Sequence, residues 1–134
     1  MLRAKDIMST DVISVKKDDP IFDAVKLLVE NNISGLPVVE DDMTLTGILS
    51  EKDVVDLFYD HEQAEGKTVG DYMTRPAVCF DGNNALLNVC NFLEKNIFRR
   101  VPVTSNGKLI GIISVQDILS SVLKLRQEKA LAAK

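Results

Sequence analysis

The sequence predicts an α/β fold built from two strand-helix-strand-strand-helix (βαββα) units packed sheet to sheet about an approximate two-fold axis. Three observations carry this expectation. A seven-residue stretch occurs twice, as Gly47-Ile48-Leu49-Ser50-Glu51-Lys52-Asp53 and as Gly111-Ile112-Ile113-Ser114-Val115-Gln116-Asp117. The residues around it recur at fixed spacing: Asp6, Met8, Leu28, Asn31, Pro37 and Val38 return 65 positions later as Asp71, Met73, Leu93, Asn96, Pro102 and Val103. After a one-residue deletion in a turn, Gly47, Ile48, Ser50 and Asp53 return at a spacing of 64. Finally, a unit of roughly 60 residues is marginally stable alone, and its sheet has a face that a copy of itself can cover. Such packing is expected to leave a cleft on either side of the seam, each walled by both repeats.

Each element has a local cause. Ala4 to Ser9 form a brief helical turn, and Val12, Ile13 and Val15 suggest a short strand. Asp19 before Pro20 reads as a cap with proline at the first helical position. Ile21, Ala24, Val25 and Leu28 then fall at i, i+3, i+4 and i+7, one stripe of a helix. Asn31-Asn32 can end it in a left-handed cap. Leu36–Val39 and Leu45–Leu49 are strands joined by a turn at 40–44, with Pro37 at an edge or at the start of pairing. Ser50 to Asp53 and Ser114 to Asp117 are helix starts: a serine, an acid three residues on, then an apolar run. In the second repeat a helix starting near Asn84 buries Leu86, Val89, Cys90 and Leu93, and Asn106-Gly107 marks a hairpin. The boundaries are 4–60 for the first repeat, 61–68 for a polar linker, 69–123 for the second repeat and 124–134 for a tail that extends the last helix.

Composition narrows the function. The chain has 134 residues, 46% of them hydrophobic and 27% charged, in the range of a globular protein. No apolar run approaches the roughly 20 residues of a membrane span. The opening Met1-Leu2-Arg3-Ala4-Lys5-Asp6 lacks the apolar core of a secretion signal, so a cytoplasmic location is expected. Residues 1–65 carry 6 Lys and Arg against 15 Asp and Glu, and residues 66–134 carry 10 against 5. The net charge of −4 and the scarcity of aromatic residues argue against nucleic acid as a partner, while the positive second half suits a small anion. Cys79 and Cys90 match no metal or redox spacing and are expected in the core. The one histidine, His61, falls in the linker. There is no P-loop, no Gly-x-Gly-x-x-Gly and no His-Glu-x-x-His, so no catalytic residue and no enzyme is expected.

Taken together, the Asp-x-Met-[Ser/Thr] entries at 6–9 and 71–74, the Leu-Pro-Val-Val and Val-Pro-Val strands and the two Gly-hydrophobic-hydrophobic-Ser-x-x-Asp segments resemble a tandem CBS domain pair, or Bateman module, without an attached catalytic domain. The resemblance runs from about Ala4 to Leu123. It implies a regulatory ligand, an adenine nucleotide (ATP, ADP or AMP) or S-adenosylmethionine, bound in the clefts. By that resemblance, Asp117 accepts from both ribose hydroxyls, Ser114 donates to a phosphate, and Ile112 offers backbone groups and an apolar wall. Arg100, with Arg99 beside it, holds phosphate, and Ile13, Ile33 and Ser34 line the opposite wall. The mirror-image cleft uses Ser50, Asp53 and Ile48 with Val78, Phe98 and Arg99. It ranks second because Gly35 stands where Arg100 does. The resemblance also implies a homodimer and a regulated partner protein of unknown identity.

Ser-x-x-Asp needs no ligand to explain it, since the pair caps a helix by itself. The expected function is therefore an adenosyl-ligand sensor that signals to a partner, with a ligand-free dimerisation and interaction module as the alternative.

Overall fold

A computed structural model describes residues 1–133. The element order is α1 (Ala4–Ile7), α2 (Ile21–Glu30), β1 (Gly35–Val39), β2 (Leu45–Ser50), α3 (Glu51–Val54), α4 (Leu57–Asp60), α5 (Val69–Tyr72), β3 (Phe80–Asp81), α6 (Leu86–Lys95), β4 (Arg100–Ser105), β5 (Lys108–Ser114) and α7 (Val115–Ala132). The chain forms two compact units, and they are not the two sequence repeats. One comprises residues 13–78 with 106–109; the other comprises 1–12, 79–105 and the described residues from 110 onward. Each unit thus contains the opening helix of the repeat to which most of it does not belong.

In the unit of residues 13–78, β1 and β2 pair antiparallel with Pro37 opposite Ile48. Val15 makes an isolated parallel bridge to Val38, in place of the expected strand. Pro37 has no N–H to give, and its carbonyl instead accepts from Val15 N–H at 3.0 Å. The helix stripe is as expected, with Ile21, Ala24 and Leu28 buried in a core that includes Leu36, Val38, Leu49 and Val69. The cap is displaced by one residue: Pro20 is the N-cap, and Asp19 Oδ2 accepts the Lys16 N–H at 2.9 Å. Asn32 takes φ 50°, the left-handed end anticipated for α2. The linker is held in place. Ala64 is buried, Lys67 C=O accepts the Ile21 N–H, and Asp19 C=O accepts the Val69 N–H that opens α5.

In the other unit, β4 lies between β3 and β5, and β3 runs parallel to it with Phe80 opposite Val103. Asn106 and Gly107, both at positive φ and grouped with residues 13–78, make the hairpin turn between β4 and β5. The core is Ala4, Leu86, Val89, Val101, Val103 and Ile113. Cys90 packs against it, whereas Cys79 is exposed, correcting the expectation that both are core residues. Cys79 falls in extended chain just before β3, where alternation sends one side chain outward. α7 runs through the tail to Ala132, buries no residue, and meets the core through Ile118.

Both units show why glycine stands at the head of the duplicated stretch. A Cβ at Gly47 would lie 2.6 Å from the Thr74 carbonyl oxygen and 2.8 Å from Met73 Cε. One at Gly111 would lie 2.5 Å from Met8 Sδ and 2.9 Å from the Ser9 carbonyl oxygen. The Met8-Ser9 and Met73-Thr74 segments lie flat on the strands at these points, and the methionines fill the space a side chain would occupy.

Candidate functional site

The two Ser-x-x-Asp segments are capping boxes at the starts of α3 and α7. At α7, Ser114 N–H donates to Asp117 Oδ2 at 2.8 Å, and Asp117 N–H donates to Ser114 Oγ at 3.1 Å. At α3, Ser50 N–H donates to Asp53 Oδ2 at 2.8 Å. Stability therefore accounts for the motif before any ligand is invoked. Ser114→Ala is expected to cost about 1 kcal/mol of folding stability by urea denaturation, the ordinary value of a lost cap.

The two carboxylates differ beyond the cap. Asp53 Oδ1 accepts from Thr74 Oγ1 at 3.0 Å, so both of its oxygens are engaged. Asp117 Oδ1 accepts no hydrogen bond among the described residues, and Asp117 is half-buried at the N-terminus of an 18-residue helix. That helix start presents backbone N–H groups and the positive end of its dipole.

Arg100, at the first position of β4, is the second unusual group. Its Nε is buried without a hydrogen-bond partner among the described residues. Burial pushes the guanidinium below its ordinary pKa, the Asp117 carboxylate pulls it back up, and Arg99 adds to the lowering. Neither arginine forms an ion pair among the described residues; the pairs present are Lys16–Asp41 and Lys108–Asp42. Arg100 is half-buried as a residue, but a buried N–H with no acceptor costs free energy that an incoming anion recovers.

Asp117, Ser114, Ile112, Arg100, Arg99 and Phe98 belong to one unit; Ile13, Ile33, Ser34, Ile48, Ser50, Asp53 and Val78 belong to the other. The backbone of Ile112 is not free as expected, because its N–H and C=O pair with Ser9 at 2.9 and 2.8 Å. Ile48 is paired with Thr74 in the same way. Those residues keep only their side chains as apolar wall. Ile13, Ile33 and Ser34 are half-buried, Ile13 without backbone hydrogen bonds among the described residues. Phe98 stacks on Phe92 with centroids 5.6 Å apart and leaves part of its ring exposed, and Val78 is exposed.

Sequence reasoning missed Thr74 and the polar face of α7. Thr74 was visible as the hydroxyl residue aligned with Ser9 at the end of each opening turn. On α7, Ser120, Ser121 and Lys124 follow Asp117 at i+3, i+4 and i+7, and with Asp6 and Met8 they line a concavity of about 490 Å³. Arg100 and Ser114 do not line it. In the turn at 40–44, Lys16 pairs with Asp41 and Lys108 lies 3.9 Å from Asp42. Among the described residues no helix is long and apolar enough to cross a membrane.

The CBS domain family model matches residues 4–60 and 69–124. The chain is 33% identical over 143 residues to the CBS domain-containing protein CBSX2, chloroplastic, of Arabidopsis thaliana, covering 85% of this chain and 60% of that protein. It is 32% identical over 115 residues to the uncharacterized protein MJ1225 of Methanocaldococcus jannaschii, covering 86% and 41%. It thus spans less than two thirds of either relative. The crystal structure of CBSX2 in complex with AMP superposes with a TM-score of 0.84 at 32% identity, covering 94% of this chain and 99% of that one. The CBS domain pair of MJ0100, in complex with 5'-methylthioadenosine and S-adenosyl-L-methionine, superposes at 0.76 with 26% identity, covering 90% and 99%.

Proposed function

The chain belongs to the CBS domain family and carries two such domains in tandem, and from that premise we propose that it is a regulatory module that binds an adenine nucleotide or related adenosyl ligand through Asp117, Ser114 and Arg100. The observation that carries the reading is the buried, partnerless Nε of Arg100 in the field of a carboxylate that keeps one oxygen unengaged. A ribose diol supplies hydroxyl donors to Asp117, and a phosphate supplies the acceptor that Arg100 lacks. Similar proteins crystallised with AMP and with S-adenosyl-L-methionine support the ligand class. Signalling to a partner protein follows only where the ligand prefers one conformation over another.

Titrating AMP, ADP, ATP and S-adenosylmethionine by calorimetry tests this. Asp117→Ala is expected to lose roughly tenfold to a hundredfold in affinity, the worth of hydrogen bonds to a charged group. Ligand at 100 times its dissociation constant adds about 2.7 kcal/mol of stability, readable as a thermal shift. Equal binding by wild type and Asp117→Ala refutes the site.

One observation favours a second reading, an interaction module that homodimerises and docks a partner without a ligand. α7 leaves Leu119, Val122, Leu123, Leu125 and Leu131 exposed. No thermal shift with any adenosyl ligand, together with a dimer in sedimentation, selects that reading.

A further inference from the structure

The Ser50/Asp53 and Ser114/Asp117 segments have the same sequence pattern and the same backbone, yet their carboxylates differ in what they accept. In both units the opening turn is pinned by a reciprocal backbone pair. Thr74 N–H donates to Ile48 C=O at 2.8 Å and Ile48 N–H to Thr74 C=O at 3.0 Å; Ser9 and Ile112 repeat this at 2.8 and 2.9 Å. Ser9 and Thr74 therefore occupy matching positions. Thr74 Oγ1 donates to Asp53 Oδ1 at 3.0 Å, whereas Ser9 makes no side-chain hydrogen bond to Asp117. The two residues differ by one methyl group, and a β-branched side chain is more restricted at χ1 than a serine.

We propose that Thr74 is an internal lock on Asp53, so that the chain takes one adenosyl ligand, and takes it at Asp117. Granted that a carboxylate holds the ribose diol as proposed above, it must accept from both hydroxyls. Asp53 has both oxygens engaged, one by the Ser50 N–H and one by the Thr74 hydroxyl. At Asp117 one oxygen is engaged and the other is open among the described residues. At Asp53 a ribose hydroxyl must crowd or displace the Thr74 hydroxyl on Oδ1, a penalty of roughly tenfold in affinity where that bond is lost. Gly35 stands in β1 where Arg100 stands in β4, so the matching strand position offers no guanidinium. Thr74 is on this account a specificity-determining residue that decides how many ligands a chain carries.

AMP stoichiometry and affinity, by native mass spectrometry and calorimetry on the full chain, read this out in wild type, Thr74→Val and Ser9→Thr. Wild type is expected to bind one AMP per chain. Thr74→Val, which keeps the shape and loses the hydroxyl, is expected to show a second, weaker binding event. Ser9→Thr, which places a lock at Asp117, is expected to weaken the first event by roughly tenfold. Ser9→Thr keeps the proposal testable if the Thr74 variant does not fold. Two AMP per wild-type chain overturns the lock and leaves the nucleotide reading standing. A Thr74→Val protein that stays at one AMP, or a Ser9→Thr protein with unchanged affinity, also overturns it. No AMP on any of the three overturns the nucleotide reading itself, and the lock with it.

Discussion

Gly47→Ala is expected to destabilise the fold by about 3 kcal/mol, the upper part of the range for overpacking a close contact. The added methyl would stand 2.6 Å from the Thr74 carbonyl oxygen, a main-chain atom held in place by its pair with Ile48. To admit it, the Met73-Thr74 segment must lift from β2. That breaks the Ile48–Thr74 pair and pulls on Met73 and Val69, which pack in the same core. The matching change at Gly111 meets Met8 first, at 2.5 and 2.7 Å, and a methionine side chain can swing away. Gly111→Ala is therefore the milder of the two, nearer to 1 kcal/mol. Urea denaturation of both variants measures the difference; equal losses would show that the Thr74 carbonyl yields as easily as a side chain.

Arg100→Met is expected to move stability and affinity in opposite directions. In the ligand-free protein the change removes a buried Nε that has no acceptor and keeps most of the apolar volume. Replacing an unsatisfied buried polar group by an apolar one of similar shape is near neutral, or stabilising by about 1 kcal/mol. In the complex it removes a charged contact to phosphate, and truncating one partner of such a pair costs about 2–5 kcal/mol. Affinity for AMP should accordingly fall by roughly thirtyfold to several thousandfold, while the melting temperature of the free protein holds or rises. Adenosine, which has no phosphate, should lose little. A variant that loses stability and keeps its AMP affinity would place Arg100 in the scaffold instead.

The features legible in the sequence are those whose causes lie within a few residues. A serine and an aspartate three positions apart make the capping box at α7, because the i to i+3 geometry of a helix start brings their groups together. Asn106-Gly107 makes a hairpin turn because both residues tolerate positive φ. The α2 stripe is buried because its spacing follows the helical period. Long-range contacts were not legible. Val12 to Val15 carry a strand-like pattern but make only the bridge at Val15, since the partner β1 meets the segment at one point. Cys79 looks like a core residue by type and is exposed by register. Ile112 looks free to offer backbone groups and is paired by Ser9, a residue over a hundred positions away in the chain.

By itself, then, the sequence determined that the chain is a duplication, where its helices begin, and which serine and aspartate open the last one. Which opening turn lies on which strand was decided only in three dimensions. Equivalent residues of two repeats carry the same local signals, so nothing local separates Met8 on Gly111 from Met73 on Gly47. The inequality of the two carboxylates is tertiary for the same reason. It depends on Thr74 reaching Asp53, and on the Nε of half-buried Arg100 lying where no acceptor meets it, and both are matters of packing rather than of local sequence.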